Sequence, residues 1–231
     1  MNNNTKNNDD GLMRLESGEK TVAYIDICGI SEFYKNEPPS EDVAKKIGFG
    51  FLRSLDEIKG SNPVSIHILS DSALLVPDDS SQLSLDKLVQ LSLILFYNLV
   101  ENTQSGPANL SRIFITKGTY YYIEYLKAGH RINYTVGGNV LLKCLSADKE
   151  EGLPFGVFTD LPEVEIIRKS PFTKWQFVNY KKYLDNDRHQ LFNYILPERL
   201  LPNIIRQHFG GWDKTSVKLR RYCETLISLL E

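Results

Sequence analysis

Two aspartates interrupt apolar segments in the first third of the chain, and both are of a type that can bind divalent metal ions. Asp26 lies in the run TVAYIDIC (21–28), and Asp71 lies between the runs VSIHIL (64–69) and ALLV (73–76). A carboxylate in apolar surroundings is costly without a partner, so a hard cation is a reasonable inference for each. Two such ions can activate a hydroxyl group and stabilise a leaving pyrophosphate. A single aspartate at a strand end is more often a turn or capping residue, so neither acid alone identifies a metal site.

The segment after the first apolar run is a candidate for binding phosphate. Gly29, Ile30 and Ser31 follow the predicted strand, so their backbone N–H groups would lie at the start of a helix. Triphosphate oxygens bind well at such a position. An ordinary strand-to-helix turn, with Ser31 as the N-cap, explains the same three residues.

Hydrophobic patterning predicts the elements that position these residues. Apolar residues recur at three- and four-residue spacing from Ser40 to Lys59, and Leu83 to Glu101 is apolar on most faces, so both segments predict helices. A third helix is predicted from Gly137-Gly138 to Ala147. Strands alternate with these helices, which predicts an α/β sandwich with helices packed on a mixed sheet. Strands are predicted at 21–28, 64–69, 73–76, 112–123, 132–136, 156–159, 175–180 and 190–195.

The length and composition fit one domain with extensions. At 231 residues the chain can bury one substantial core. Residues 1–19 are polar and lack periodicity, so we expect a disordered N-terminal tail there. We expect the folded domain at 20–196 and a helical C-terminal extension at 197–231.

Composition also argues against several classes of protein. The formal net charge is −2 with both signs interspersed, so nucleic acid is not expected as the main ligand. The longest apolar stretch, 91–100, falls short of the ~20 residues needed to span a bilayer. The Asn-rich N-terminus lacks the order of a secretory signal, and the three widely spaced cysteines fit neither a disulfide framework nor a zinc site. We therefore expect a cytoplasmic protein with no membrane partner.

Four segments together resemble the motifs of the class III nucleotidyl cyclases, in the same order and at approximately the same spacing. The first segment, 24–34, resembles the family's first metal motif. The second segment, 68–76, resembles the hairpin with the second metal aspartate, with Ser70 where glycine is usual. The third segment, 112–118, is similar to the family's arginine-containing strand, with Phe114 at its inner glycine position. The fourth is similar to the strand, turn and helix that follow. The segments are YIDICGISEFY (24–34), ILSDSALLV (68–76), RIFITKG (112–118) and YTVGGNVLLKCLSAD (134–148).

This resemblance implies a cyclase fold that works as a homodimer, with active sites between the subunits. It implies that Asp26, Ile27 and Asp71 bind two divalent ions, Mg²⁺ or Mn²⁺, against a nucleoside triphosphate. It also implies that a lysine near the last strands, Lys181 or Lys182, contacts phosphate.

Two functional groups of the family are missing from this chain. In an alignment without gaps, the ribose-orienting asparagine falls on Leu142 and the transition-state arginine falls on Ser146. Loss of such an arginine can cost ~10³-fold or more in rate. Arg112 is our candidate for a replacement cation, with Lys117, Lys143 and the pair Lys181-Lys182 as alternatives; without a replacement the domain is slow or inactive.

The residues that would read the base also differ from those of purine cyclases. His67 lies where many members have a purine-reading lysine, and Thr135 lies at the partner position. Both side chains can donate or accept, so a pyrimidine is at least as compatible as a purine. A satisfied structural histidine explains His67 equally well. The tyrosine run 120–122 could stack on a base, although core and rim packing is the commoner role of such residues.

The chain keeps the two metal aspartates but lacks the family's asparagine, arginine and purine-reading lysine. In this it is similar to the pyrimidine cyclases of bacterial antiphage (Pycsar) signalling, which make cyclic UMP or cyclic CMP for a separate effector. The leading interpretation is a cyclase that converts UTP or CTP to a 3',5'-cyclic monophosphate and pyrophosphate in antiviral defence. The second is a degenerate cyclase-homology domain that binds nucleotide or a protein partner without turnover. The third is a purine cyclase.

Overall fold

The computed structural model describes the strands and helices of the chain and a few residues that adjoin them. Nine strands and three helices are assigned within these residues. The strands are β1 (Asn3–Lys6), β2 (Gly11–Ile27), β3 (Val64–Leu69), β4 (Ser72–Pro77), β5 (Ser111–Lys127), β6 (His130–Val136), β7 (Gly156–Thr159), β8 (Trp175–Leu184) and β9 (Arg188–Pro197). The helices are α1 (Glu41–Lys59), α2 (Gln82–Glu101) and α3 (Asn139–Lys149). Also described are Asp71, Asp78, Gly138, Asp160, Leu161 and Glu224.

All nine strands belong to one mixed sheet, as the alternation of strands and helices predicted. The main path runs β3-β4-β2-β5-β7-β9-β8, while β1 pairs with β2 and β6 pairs with β5. β5 and β7 are parallel, and the other described pairs are antiparallel. β2 and β5 are therefore the central pair, and β2 ends with the candidate metal ligand Asp26.

The pairing of β2 with β5 is much longer than the sequence indicated. Gly11–Ile27 pairs in continuous register with Ser111–Lys127, whereas β4 pairs only with residues 23–26 of β2. The expectation of a disordered tail over 1–19 was therefore wrong for 11–19, and β1 adds a further strand at Asn3–Lys6. Backbone N–H and C=O groups form the ladder, so a polar segment without hydrophobic periodicity can still pair along an available strand edge.

The core lies between this sheet and the helices. The α1 residues Phe51, Leu55 and Ile58 are buried, which confirms the apolar face that their spacing predicted. In α2, Leu88, Leu95 and Leu99 are buried together with several neighbours, as expected for a helix apolar on most faces.

Several predicted boundaries agree with the structure. β3 and β7 match the predicted strands, and α3 follows the glycine pair as expected. β8 and β9 are each longer than their predictions. Among the described residues, none of the helices has the length and hydropathy required to cross a membrane. The predicted C-terminal helical extension lies outside the described residues, apart from Glu224.

Candidate active site

Asp26 is oriented by a hydrogen bond from Ser72, which in turn accepts one from Tyr24. It lies opposite Ser72 of β4, whose Oγ donates a hydrogen bond to Asp26 Oδ1 at 3.1 Å. The Tyr24 hydroxyl donates in turn to Ser72 Oγ at 3.0 Å. Tyr24 and Ser72 are both buried, so this chain of hydrogen bonds holds one carboxylate oxygen in a defined direction.

Arg112 approaches the other oxygen of the same carboxylate. It lies opposite Asp26 in the pairing of β2 with β5, and its Nη2 is 3.6 Å from Asp26 Oδ2. The side chains of Arg112 and Asp26 are 8% and 16% exposed, so solvent screens their interaction only weakly. The candidate replacement cation is thus in contact with the candidate metal ligand.

Asp71 lies beside this arrangement, in the turn between β3 and β4. Its backbone carbonyl accepts a hydrogen bond from the Ile27 N–H at 3.2 Å, which ties the turn to the end of β2. Because Asp71 precedes Ser72, the partner of Asp26, both aspartates lie at the same edge of the sheet. The structure therefore brings together the two acids that were widely separated in sequence.

The oxygen atoms of Asp26, Ile27 and Asp71 can be compared with the ligands that a divalent metal prefers. Asp26 and Asp71 supply carboxylate oxygens, and Ile27 can offer only its backbone carbonyl. Within the described part of the chain, no group of three or more acidic, histidine or cysteine side chains is arranged for a metal. Mg²⁺ commonly binds through one or two carboxylates, with waters and substrate phosphates completing its shell. The donor set fits a metal that binds together with a triphosphate.

A cavity of about 610 Å³ opens on the sheet face that bears Asp26. Side chains alternate along a strand, and the registers place Asp26, Tyr24, Leu74 and His67 on one face. His67 is two strands and two residues away from Asp26, a separation of roughly 12 Å between backbones. The cavity is lined by Arg14, Glu16, Ser17, Lys20, Ser65, His67, Val76, Pro77, Asp78, Tyr120, Tyr122 and Glu124.

His67 contacts two tyrosines within this cavity. The Tyr120 hydroxyl is 3.0 Å from His67 Nε2, and the Tyr122 ring centroid is 5.3 Å from that of His67. Burial lowers the pKa of His67 below its ordinary value of 6.5, and the nearby charge of Glu16 partly opposes this shift. His67 is therefore neutral at pH 7.

The second candidate base reader, Thr135, is on β6, next to the strand that contributes the two tyrosines. Its backbone pairs with Tyr122, which contacts His67. The backbone of Thr135 thus lies beside a tyrosine whose ring contacts His67.

The positions of the two missing family groups lie on the exposed side of α3. Leu142 is 66% exposed and Ser146 is also exposed, whereas Val140, Cys144 and Ala147 face the core. Neither exposed side chain can supply the amide or the guanidinium that the family uses.

The other cations proposed from the sequence lie away from Asp26 or have contacts of their own. Lys143 Nζ donates to the Lys117 carbonyl at 2.8 Å, and Lys117 Nζ is 3.5 Å from Glu19. Lys181 and Lys182 are in β8, four strand spacings from β2 along the sheet order, or ~19 Å. Arg112 is the one of these cations that contacts Asp26. The proposed phosphate-binding segment at 29–31 lies outside the described residues.

Sequence reasoning missed the residues that orient these side chains. Tyr24 and Ser72 looked like ordinary strand residues, and their types gave no signal without the register between β2 and β4. Tyr120 was noticed as part of a tyrosine run, but only the strand register shows that Tyr120 and Tyr122 line the cavity while Tyr121 does not. Alternation along β5 was the available signal.

Comparisons with known proteins add independent information on the fold. No protein-family model and no curated protein matches the chain. Among solved structures, the guanylyl cyclase Cya2 aligns with a TM-score of 0.57 and 15% identity, over 80% of this chain and 96% of that chain. The adenylyl cyclase CyaB from P. aeruginosa aligns with a TM-score of 0.59 and 16% identity, over 80% and 97% of the two chains. This chain has the class III nucleotidyl cyclase fold.

A longer neighbour gives the same result for this cyclase fold. A bacterial light-regulated adenylyl cyclase aligns with a TM-score of 0.59 and 12% identity, over 94% of this chain and 59% of that chain. The fold expected from the four sequence segments is confirmed. Identities this low establish the cyclase fold alone, so activity and substrate must be argued from the site.

Proposed function

We propose that this protein is a metal-dependent cyclase that converts UTP or CTP to the 3',5'-cyclic monophosphate and pyrophosphate. The observation that supports this most directly is the position of Asp26 and Asp71 at one edge of a cyclase-fold sheet. In this proposal the protein acts in the cytoplasm as a second-messenger synthase in antiviral defence, and a separate effector binds the product.

The reaction needs a 3'-hydroxyl to attack the α-phosphate in line. The 3'-hydroxyl loses its proton to water as a bond forms between O3' and the α-phosphorus. The bond from that phosphorus to the bridging oxygen breaks, and pyrophosphate leaves with the electron pair. Bound Mg²⁺ or Mn²⁺ would lower the pKa of the attacking hydroxyl and neutralise the triphosphate. Asp26 and Asp71, with the Ile27 carbonyl, are the proposed ligands. Tyr24 and Ser72 keep the Asp26 carboxylate oriented before substrate arrives.

Arg112 is the proposed replacement for the transition-state arginine, whose position on α3 is occupied by Ser146. Its guanidinium contacts the Asp26 carboxylate and is largely buried, so its charge acts in a weakly screened environment. A fixed cation at this position stabilises negative charge as it develops on the phosphates. This contact supports Arg112 over Lys181 and Lys182, which lie at the far edge of the sheet.

The cavity beside His67 is the proposed base pocket. His67 is neutral, and Tyr120 and Tyr122 supply aromatic surface and a hydroxyl group. The backbone of Thr135 is next to Tyr122, so its hydroxyl is the proposed second reader. Many cyclases that this sequence resembles have a lysine at this position, which hydrogen-bonds a purine. The neutral imidazole of His67 cannot replace that charge, so a base other than a purine is favoured.

We also propose a homodimer in which each active site uses residues of both subunits. Asp26 and His67 of one chain lie roughly 12 Å apart on the sheet face. Sedimentation should show a dimer at the concentrations used for assay, and a strictly monomeric but fully active protein would contradict this part of the proposal.

A second candidate function rests on the exposed face of α3. Leu142 and Ser146 provide neither a ribose-orienting amide nor a guanidinium group. A cyclase-fold domain that binds nucleotide or a protein partner without turnover would need neither. The paired acids at the sheet edge favour catalysis over this alternative.

Incubation with each of the four nucleoside triphosphates and Mn²⁺, followed by mass spectrometry of the products, tests the proposal. We expect cyclic UMP or cyclic CMP with one equivalent of pyrophosphate, and at least ~10²-fold less product from the Asp71→Asn variant. Cyclic AMP or cyclic GMP as the main product would instead support the purine cyclase. Nucleotide binding without any product would support the non-catalytic domain.

A further inference from the structure

The guanidinium of Arg112 lies beside a carboxylate oxygen that a metal ion would use. Asp26 Oδ1 accepts a hydrogen bond from Ser72 Oγ at 3.1 Å, whereas Arg112 Nη2 is 3.6 Å from Asp26 Oδ2. The register between β2 and β5 holds the two backbones opposite each other, and Arg112 is buried. The guanidinium is therefore a built-in neighbour of Oδ2, and a metal ion on Asp26 has to share this carboxylate with it.

A metal ion bound to Oδ2 would lie close to that positive charge. Mg²⁺ binds carboxylate oxygens at about 2.1 Å. Because Nη2 is 3.6 Å from the same oxygen, the two cations would be at most about 6 Å apart, whichever side of Oδ2 the ion took. Both side chains are largely buried, so water screens the repulsion only weakly. Asp26 is thus a poorer ligand for a free metal ion than an isolated carboxylate.

We propose that Arg112 opposes metal binding to Asp26 in the nucleotide-free protein, so that the metal binds there together with the triphosphate. This inference rests on the proposed function, because it takes Asp26 as a metal ligand. The triphosphate brings several negative charges, which offset the guanidinium, and its oxygens complete the shell of the metal. The charge that stabilises the phosphates during turnover therefore weakens binding of the metal alone.

Arg112 then has two effects of opposite sign. Removal of its guanidinium should strengthen metal binding to the nucleotide-free protein and should also slow turnover. A residue that only supported the fold would act differently, because a loosened sheet edge would hold both the metal and the substrate less well. Metal affinity and turnover, measured on the same variant, therefore separate an electrostatic role from a structural one.

Titration with Mn²⁺, followed by electron paramagnetic resonance of the free ion, measures the metal affinity without nucleotide. We expect Arg112→Met to bind Mn²⁺ about tenfold or more tightly than the wild type, because a weakly screened repulsion is removed. Arg112→Lys keeps the positive charge and should change the affinity by less than about threefold. Arg53→Met is the matched control, because Arg53 is exposed and pairs with Glu57 on α1 at 3.1 Å. Unchanged or weaker Mn²⁺ binding by folded Arg112→Met would overturn the proposal.

Crystals of the wild-type protein test the same proposal without a variant. One crystal is soaked in Mn²⁺ alone and another in Mn²⁺ with inorganic triphosphate, at the same concentration of free Mn²⁺, and anomalous scattering locates the metal. We expect Mn²⁺ on Asp26 only when triphosphate is present. Mn²⁺ on Asp26 in both crystals, or in neither, would contradict the proposal. If no nucleoside triphosphate is turned over, the cyclase function fails, while the Mn²⁺ affinities still decide the role of Arg112.

Discussion

Arg112 and Asp26 face each other across β2 and β5, with Nη2 and Oδ2 3.6 Å apart, at the point where the proposed metal ligands meet. The fold itself therefore supplies a positive charge to the carboxylate. The two side chains are in contact before any metal or nucleotide binds. The same pairing couples two proposed roles, metal binding and charge stabilisation, because a change in either residue alters the environment of the other.

Asp26 and Asp71, the two proposed metal ligands, are expected to differ in their effect on stability. Asp71→Asn should lower turnover by at least ~10²-fold, because it removes the carboxylate charge that would bind the metal. The melting temperature should not change, because Asp71 lies in a partly exposed turn. Asp26→Asn should lower turnover similarly and also cost about 1–3 kcal/mol of unfolding free energy, because Arg112 loses the carboxylate that it contacts. Asp56→Asn, an exposed acid on α1, is the control for both measurements. Wild-type turnover in either site variant would contradict the metal assignment.

The energetic coupling of Asp26 and Arg112 can be measured by a double-mutant cycle. Arg112→Met should reduce turnover and the unfolding free energy. The combination of Arg112→Met with Asp26→Asn should be less destabilised than the sum of the single changes, by ~0.5–3 kcal/mol. Urea unfolding of the four proteins gives the coupling energy. Strict additivity would mean that the contact contributes nothing to folding.

Removal of His67 should weaken base selection. If His67 and Thr135 line the base pocket, His67→Ala should reduce the preference among UTP, CTP, ATP and GTP by roughly ten- to a hundredfold. The fold should be retained, since His67 is only partly buried. The measurement is the set of kcat/KM ratios at one Mn²⁺ concentration in wild type and variant. Identical ratios would remove His67 from the pocket, and a wild-type preference for ATP or GTP would refute the pyrimidine proposal.

Stability should depend on pH through His67. Burial lowers the pKa of His67 in the folded state, although Glu16 partly opposes the shift. Between the folded and unfolded pKa values, the unfolded chain binds more protons, so stability rises with pH there. The contribution is fully present above the unfolded pKa of about 6.5 and is lost as the pH falls through the folded pKa. Chemical unfolding at pH 7.5 and 5.5 should show this loss in wild type and a smaller one in His67→Gln; equal losses would contradict it.

The turn into α3 gives a prediction about packing. A Cβ at Gly138 would lie 2.5 Å from the Thr119 carbonyl oxygen, so Gly138→Ala must displace backbone and should cost about 1–3 kcal/mol. Gly48→Ala is the matched control, because a Cβ there meets nothing within 4 Å and alanine favours a helix by ~0.5–1 kcal/mol. The two variants should shift the melting temperature in opposite directions. A tolerated Gly138→Ala would show that the turn can relax.

Periodicity and residue type were sufficient to predict the elements of the core. The spacing of Phe51, Leu55 and Ile58 predicted the buried face of α1, because a helix repeats every 3.6 residues whatever surrounds it. The apolar runs around Asp26 and Asp71 likewise predicted strands, and the family resemblance predicted the fold.

The relations between strands could not be predicted in the same way. The pairing of residues 11–19 with β5 depends on backbone hydrogen bonds, which leave no trace in side-chain pattern. The Asp26–Arg112 contact and the orientation of Tyr120 toward His67 depend on register between segments far apart in the chain. That register cannot be inferred from local pattern in a single sequence, because it depends on the packing of the whole sheet.

The long pairing of β2 with β5 has a consequence for how this protein is made. Gly11 pairs with Lys127 and Ile27 with Ser111, so the central ladder closes between segments roughly a hundred residues apart, which slows folding relative to local pairing. During translation, at about 5–20 residues per second, β2 leaves the ribosome many seconds before its partner exists. Its strand edge, with Asp26 near its end, is exposed to other chains throughout that interval. The yield of active protein in cells should therefore depend on chaperones and on translation speed between β2 and β5, and not only on the stability of the finished fold.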